Sequence, residues 1–366
     1  MFRYPLTDNT ELRLLEPRHL DEVYAVTEEN RAYLRRWMAW VDKVSSAQDI
    51  FLPRTNLAKL GDNGNFAAGI WHHGRFSGVI GIHDIDWQNR RTSLGYWLVA
   101  SCQRHGIMTR ACQAVISHLF GTLQLQRIEI RAASGNLRSQ GVARRLGFRH
   151  EGTLRKTEWL ADGMVDHMVF AMLREEWQHI GERLAFSCPL MEDAELRMLM
   201  PHYAEEIFSL IDGNRAYLRS MSWLETTSSV GNIRDFIRRS LHHMTHGTQI
   251  QWGIWHAGRF AGVIGTLPIN QRAGCVELGY WLGEEFQGKG LVTNAARAML
   301  TYVFATLNLH RAELRILTDN QRSRAVAERL GFVLEGIQRH AVWSNGKLMD
   351  LLCFGLLREE WESNQL

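Results

Sequence analysis

A chain of 366 residues with 45% hydrophobic content is more than one hydrophobic core organises, so two domains of ordinary size are expected and a small domain is excluded. With 42 Lys and Arg against 39 Asp and Glu, the formal charge is only +3, which excludes the concentrated basic surface of a protein whose main partner is nucleic acid. Charged residues at 22% and six prolines exclude a disordered chain.

The sequence is one unit written twice. Asn30-Arg31-Ala32-Tyr33-Leu34-Arg35 recurs as Asn214-Arg215-Ala216-Tyr217-Leu218-Arg219, and Gly95-Tyr96-Trp97-Leu98 as Gly279-Tyr280-Trp281-Leu282. Arg145-Leu146-Gly147-Phe148 likewise returns as Arg329-Leu330-Gly331-Phe332. Each pair is offset by 184, slipping to 183 only near Trp40 and Trp223. A period this long is a duplicated domain, since each copy is large enough to bury its own core. Domains over 1–182 and 183–366 are expected, joined near 181–189, and the two halves are expected to pack as an intramolecular pseudo-dimer.

Taken in chain order, the second copy reads as a strand, then helices over 201–211 and 233–243. Apolar runs at 250–255 and 260–267 flank His256-Ala257-Gly258-Arg259 and predict a hairpin. A third strand covers 275–282, and apolar residues at helical spacing (Ala296, Met299, Leu300, Val303, Phe304, Leu307) predict a helix over 293–307. A strand at 312–317, a helix at 322–330 and a hairpin around Asn345-Gly346 follow; the first copy has Asp162-Gly163 at the matching turn. The fold class is mixed α/β in each copy.

Gln287-Gly288-Lys289-Gly290-Leu291-Val292-Thr293 lies between a strand and a helix. Glycines let backbone approach a ligand closely, and the open amides and positive end of a helix suit a diphosphate, with Lys289 adding a cation. Two glycines equally serve a plain strand-to-helix turn. Neither a Walker loop nor Gly-x-Gly-x-x-Gly is formed, which turns the reading away from ATP and NAD.

With Gly279-Tyr280-Trp281-Leu282, Gln287-x-x-Gly290, Asp319-Asn320-x-x-Ser323 and Leu330-Gly331-Phe332-x-x-Glu335-Gly336 in series, the second copy resembles the Gcn5-related N-acetyltransferases (GNAT), closest to their RimJ/RimL branch. The first copy carries Gly95-Tyr96-Trp97-Leu98, Gln103-x-x-Gly106, Asn136-x-x-Ser139 and Leu146-Gly147-Phe148-x-x-Glu151-Gly152. The resemblance implies two tandem GNAT folds, each a mixed, mostly antiparallel central sheet flanked by helices. It further implies acetyl-CoA as co-substrate, its pyrophosphate on residues 287–293 and its pantetheine arm between splayed central strands. Leu282 and Asn320 join the cofactor-binding set of copy two. In copy one that set is Leu98, Gln103, Arg104, His105, Gly106, Ile107, Met108, Thr109 and Asn136. Met108 and Val292 depart from the small residue the family places last in this loop.

The resemblance places a catalytic glutamate at Glu277, the candidate general base; a solvated strand-face carboxylate is the alternative. The tyrosine that many relatives use as acid is absent from its place, which holds Ala327 and Ala143. Ser323, with Ser139 in copy one, stands where RimL-like members bond the CoA sulfur, although Asn320 and Ser323 equally suit a helix cap. Copy one has Ser93 opposite Glu277, so it is expected to be slower, to recruit His83 or Asp84, or only to bind.

Five of the 13 tryptophans pair with five others at matched positions, most suiting core packing. Trp40 and Trp223 follow the first helix, where the family lines its acceptor pocket, and are candidate substrate residues. His242, His243 and His246 share helical spacing but read as a solvated face, and five scattered cysteines without Cys-x-x-Cys read as reduced thiols; no metal is expected. No apolar stretch approaches the ~20 residues of a bilayer crossing, and the first residues lack a signal core. The expectation is a cytoplasmic enzyme with no membrane or direct nucleic-acid partner. It acetylates a primary amine, foremost the α-amine of a protein N-terminus of the ribosomal type or of an aminoacyl compound. The alternatives are a resistance or self-immunity acetyltransferase acting on a small aminated molecule or aminoacyl nucleotide, and a non-catalytic acyl-CoA-binding role for copy one.

Overall fold

The computed structural model describes residues 3–51, 66–83, 85–177, 187–344 and 346–364. It divides between residues 186 and 187 into two compact units. Unit one contains β1 (Arg3–Thr7), β2 (Thr10–Leu14), α1 (Leu20–Glu29), α2 (Arg31–Leu34), α3 (Ala47–Phe51), β3 (Phe66–His72), β4 (Arg75–Ile82) and β5 (Arg91–Leu98), then α4 (Ile107–Gly121), β6 (Arg127–Ala133), α5 (Leu137–Arg145), β7 (Arg149–Leu160) and β8 (Gly163–Leu173). The sheet order is 1-2-3-4-5-6-8-7, antiparallel except where β5 runs parallel to β6. Alternation sets the strand faces: Thr10, Leu12 and Leu14 of β2 are buried and the residues between them are not. Ile107, Ala111, Cys112, Val115 and Leu119 bury one face of α4 at the helical period.

Unit two repeats the plan with β9 (Ser187–Met191), β10 (Ala194–Met198), α6 (Ala204–Gly213), α7 (Arg215–Leu218), α8 (Val230–Thr245), β11 (Gln251–His256), β12 (Arg259–Thr266) and β13 (Cys275–Leu282), then α9 (Leu291–Thr301), β14 (Arg311–Leu317), α10 (Gln321–Arg329), β15 (Val333–Ser344), β16 (Lys347–Leu357) and α11 (Arg358–Ser363). Again one contact, β13 with β14, is parallel.

Three differences from the sequence expectations have local causes. The opening strand is a hairpin, β9 with β10, turned at Glu192-Asp193. The helix expected over 293–307 is α-helical only to Thr301 and ends in a π-helical turn, Tyr302–Thr306. That wider turn buries Val303 and Phe304 while Tyr302 stands edge-on to Trp252, ring centroids 5.1 Å apart. The closing helix α11 starts on a cap in which Glu360 accepts a hydrogen bond from the Leu357 amide at 2.8 Å. The last hairpin pairs Ser344 with Lys347; Asn345 and Asp84 lie outside the described residues.

The feature that matters for function is a fork. In unit two the parallel pairing runs from Cys275↔Arg311 to Glu277↔Glu313 and stops, although both strands continue. In unit one it stops at Leu94↔Ile130. Beyond these points β13 and β14, like β5 and β6, have open backbone edges facing each other.

Candidate active site

In unit one the fork leads into a cavity of about 630 Å³ whose lining includes Leu98, Gln103, Arg104, Gly106, Ile107, Met108, Thr109, Asn136 and Ser139. Most of the residues expected to hold the cofactor in copy one are therefore brought together. Gly106, at φ +72°, lets the chain turn into α4, whose N-terminus carries no side-chain cap. Gln103 fixes the loop: its Nε2 donates to the Leu98 carbonyl at 3.1 Å and to the Tyr33 hydroxyl at 2.6 Å, and its Oε1 accepts from Arg138. His105 faces the β3–β4 hairpin tip, its ring stacked on His72 at 6.5 Å.

Copy two builds the same loop with two left-handed glycines, Gly288 at φ +74° and Gly290 at +73°, the second opening α9, again without a side-chain cap. Leu291 is buried, Thr293 accepts from Arg329 at 3.3 Å, Gln287 accepts from Arg322, and the Lys289 ammonium lies 5.4 Å from the Phe286 ring centroid. Leu282 pairs with Gly262 across the sheet, as Leu98 does with Gly78, and Val292 is half-buried on α9.

Position 104 holds Arg at φ +69° where copy two has Gly288. A left-handed non-glycine residue costs about 1–2 kcal/mol, and glycine gives back roughly 0.5–1 kcal/mol through the unfolded chain. Arg104→Gly is therefore expected to leave unit one equal or more stable by up to about 1 kcal/mol in denaturant melts. A clear loss would mean that the Arg104 side chain holds the loop together.

Glu277 stands on the last paired position of the fork. Its carboxylate accepts from Arg315 at 2.7 Å, and its side chain is 19% exposed. Burial pushes its pKa above the ordinary value, with Glu313 adding to the rise and Arg315 opposing it. In unit one Ser93 occupies this position and the neighbouring Glu129 bonds Arg127 and Arg131 instead. Although burial acts against it, those hydrogen bonds hold Glu129 below its ordinary pKa. His83 lies close by, its Nε2 2.7 Å from where a Cβ on Gly95 would sit.

Asn320 and Asn136 are helix caps, accepting from the amides of Ser323 at 3.0 Å and Ser139 at 3.2 Å. The serine hydroxyls have a partner of their own that the sequence reading did not assign. Ser323 Oγ lies 2.7 Å from Tyr280 Oη, and Ser139 Oγ 3.3 Å from Tyr96 Oη. Burial raises the pKa of both tyrosines. The signal was present in the repeated Gly-Tyr-Trp-Leu, where only the tyrosine hydroxyl brings reactive chemistry. Arg138, Arg145, Arg322 and Arg329 were also missed. Only three-dimensional packing brings α5 and α10 against the loops, and nothing in local spacing marks these arginines out.

A second cavity, of about 680 Å³, lies in unit two on the side of α6 and α8. Trp223, Phe236, Thr266, Gly279, Tyr280 and Trp281 line it, with Asp235 and Arg239. Trp223 packs 5.4 Å from Trp281. Trp40 sits 6.4 Å from Trp97 among the core residues, and it is Trp37 and Met38 that reach the cavity of unit one. Of the matched tryptophans, Trp159 and Trp343 are exposed at 70% and 68% rather than packed. His242 and His246 bond within their own helix end, and no cluster suited to a metal ion occurs among the described residues. No described helix is long and apolar enough to cross a membrane.

These features coincide with known proteins. The chain matches the acetyltransferase (GNAT) domain family twice, over residues 9–149 and 194–333, and it belongs to that family. It is 35% identical over 185 residues to the putative ribosomal N-acetyltransferase YdaF of Bacillus subtilis (strain 168), covering 49% of this chain and all of that protein. It is 28% identical over 161 residues to the ribosomal-protein-serine acetyltransferase of Escherichia coli (strain K12), covering 44% of this chain and 90% of the relative. Among solved structures, RimL, a ribosomal L7/L12 alpha-N-protein acetyltransferase in complex with coenzyme A, aligns at 26% identity with a TM-score of 0.46, over 47% of this chain and 97% of that one. The chain is an N-acetyltransferase, and acetyl-CoA is its co-substrate. The residues present fit that molecule: an uncapped helix end and arginines suit its phosphates, while Leu98, Ile107 and Met108 suit an apolar arm.

Proposed function

We propose that the chain is a tandem enzyme of two domains, 1–182 and 183–366, that acetylates the α-amine of a protein N-terminus in the cytoplasm, with copy two as the catalytic half. The observation that carries this is Glu277 at the end of the fork, half-buried and bonded to Arg315, where copy one has only Ser93. The relatives named for ribosomal proteins support a protein amine as acceptor.

Acetyl-CoA supplies an acetyl group already activated as a thioester, so the protein need only take a proton from the amine and give one to the departing sulfur. Residues 287–293 and 103–109, with Asn320 and Asn136, hold the cofactor in the two copies. Glu277 takes the ammonium proton, directly or through water. An α-amine, with a reference pKa of roughly 7.7–8.0, is within reach of a carboxylate, whereas a lysine at about 10.4 is a harder target. Tyr280 holds the donated proton at Oη, and Ser323 orients it. Trp223, with Trp281, forms the acceptor wall of copy two.

Copy one has a second reading, as a site that binds acyl-CoA without turnover, favoured by Ser93 and by the left-handed Arg104 in its loop. Calorimetric titration with CoA tests the division. Two sites are expected; Gly106→Val and Gly290→Val each remove one, because a β-branched residue at positive φ is strongly disfavoured. Acetylation of a peptide N-terminus is expected to persist in Gly106→Val and to vanish in Gly290→Val. Full activity in Gly290→Val would overturn copy two as the catalyst.

A further inference from the structure

Two side chains of opposite charge line the second cavity of unit two, and how each is paired bears on which amine enters. Asp235 and Arg239 both lie on its α8 wall, one turn apart. Asp235 has a cationic neighbour, Arg238, at 3.4 Å. Glu277, at the fork, is matched by Arg315 at 2.7 Å. Arg239 forms no ion pair or side-chain hydrogen bond among the described residues. The cavity also has aromatic lining, from Trp223 packed on Trp281, Phe236 and Tyr280. An acceptor in this cavity thus meets apolar rings, the Tyr280 hydroxyl and, on the α8 wall, an exposed guanidinium with no ion pair among the described residues.

From this we infer that copy two selects an α-amine accompanied by an anionic group, specifically a peptide N-terminus whose second residue is Asp or Glu, and that Arg239 is the residue that reads it. A guanidinium is suited to the task, since its planar fork matches a carboxylate and it cannot lose its charge. A polycationic amine would place its second charge against Arg239 and is disfavoured for the same reason. The inference rests on the reading of the chain as a protein N-terminal acetyltransferase.

Acetylation rates are measured on three peptides identical but for the second residue, Ser-Glu, Ser-Gln and Ser-Lys, with the full chain and with Arg239→Gln and Arg239→Glu. The wild type is expected to prefer Ser-Glu over Ser-Gln in kcat/KM by roughly five- to tenfold, the size of one charge-assisted contact at a partly exposed site. The ratio is expected to fall to about one in Arg239→Gln and to invert towards Ser-Lys in Arg239→Glu. Equal rates for the three peptides with the wild type, or a preference that survives both substitutions, would overturn Arg239 as the reader while leaving the N-terminal reading intact. Acetylation of none of them would overturn that reading, and this inference with it. Since Arg239 is exposed on α8, an unchanged circular dichroism melt is the control for folding.

Discussion

Glu277→Gln is expected to lower kcat/KM for the amine by about 10²–10⁴-fold with CoA affinity unchanged, the range that general-base catalysis supplies. The substitution keeps the size of the side chain and an oxygen that can accept from Arg315, so the fork should retain its shape while losing the one charge that takes a proton. The pH profile carries a second signature. Burial raises the Glu277 pKa, and a base works only when deprotonated. The acid limb of kcat/KM should therefore fall at a pH above the ~4.3 of a free glutamate. Arg315 opposes that rise, so Arg315→Gln should move the limb further up, whereas a purely structural role for the ion pair would lower the rate without moving it. Turnover left in Glu277→Gln is what copy two keeps through positioning alone; a rate equal to wild type would remove Glu277 from the mechanism.

The reason Glu277 could be read from sequence and Tyr280 could not lies in how each position is defined. The family resemblance places a catalytic glutamate at Glu277, and the 184-residue offset then sets Ser93 against it. Tyr280 and Tyr96 are identical in the repeat, so comparing the two copies does not single them out. The role of Tyr280 depends on a contact across 43 residues, from β13 to α10, that no local spacing encodes. The strands followed from period-two alternation and the glycine turns, and Cys275–Leu282 appears where apolar alternation put it. The fork was legible only through the family resemblance. It arises where hydrogen bonding between two parallel strands stops, and such an absence leaves no mark on side-chain periodicity.

Tyr280→Phe is expected to reduce kcat by about 10²-fold, with a smaller loss for Ser323→Ala, since the first removes the proton held for the departing sulfur and the second only its orienting partner. The two hydroxyls are 2.7 Å apart and so act as a unit. The double substitution should therefore cost little more than Tyr280→Phe alone, the non-additivity that shared networks show. An acid must be protonated to work, and burial lifts Tyr280 above the ordinary tyrosine value near 10. Its contribution should thus persist through the alkaline range, and no fall in kcat below about pH 9 should be traceable to this residue. The matching pair in copy one is looser, 3.3 Å between Tyr96 and Ser139, with the Tyr96 hydroxyl also donating to the Ser139 carbonyl at 3.2 Å. Tyr96→Phe should accordingly leave the acetylation rate of the whole chain nearly unchanged. A large loss in that variant would assign turnover to copy one and reverse the division of labour between the halves.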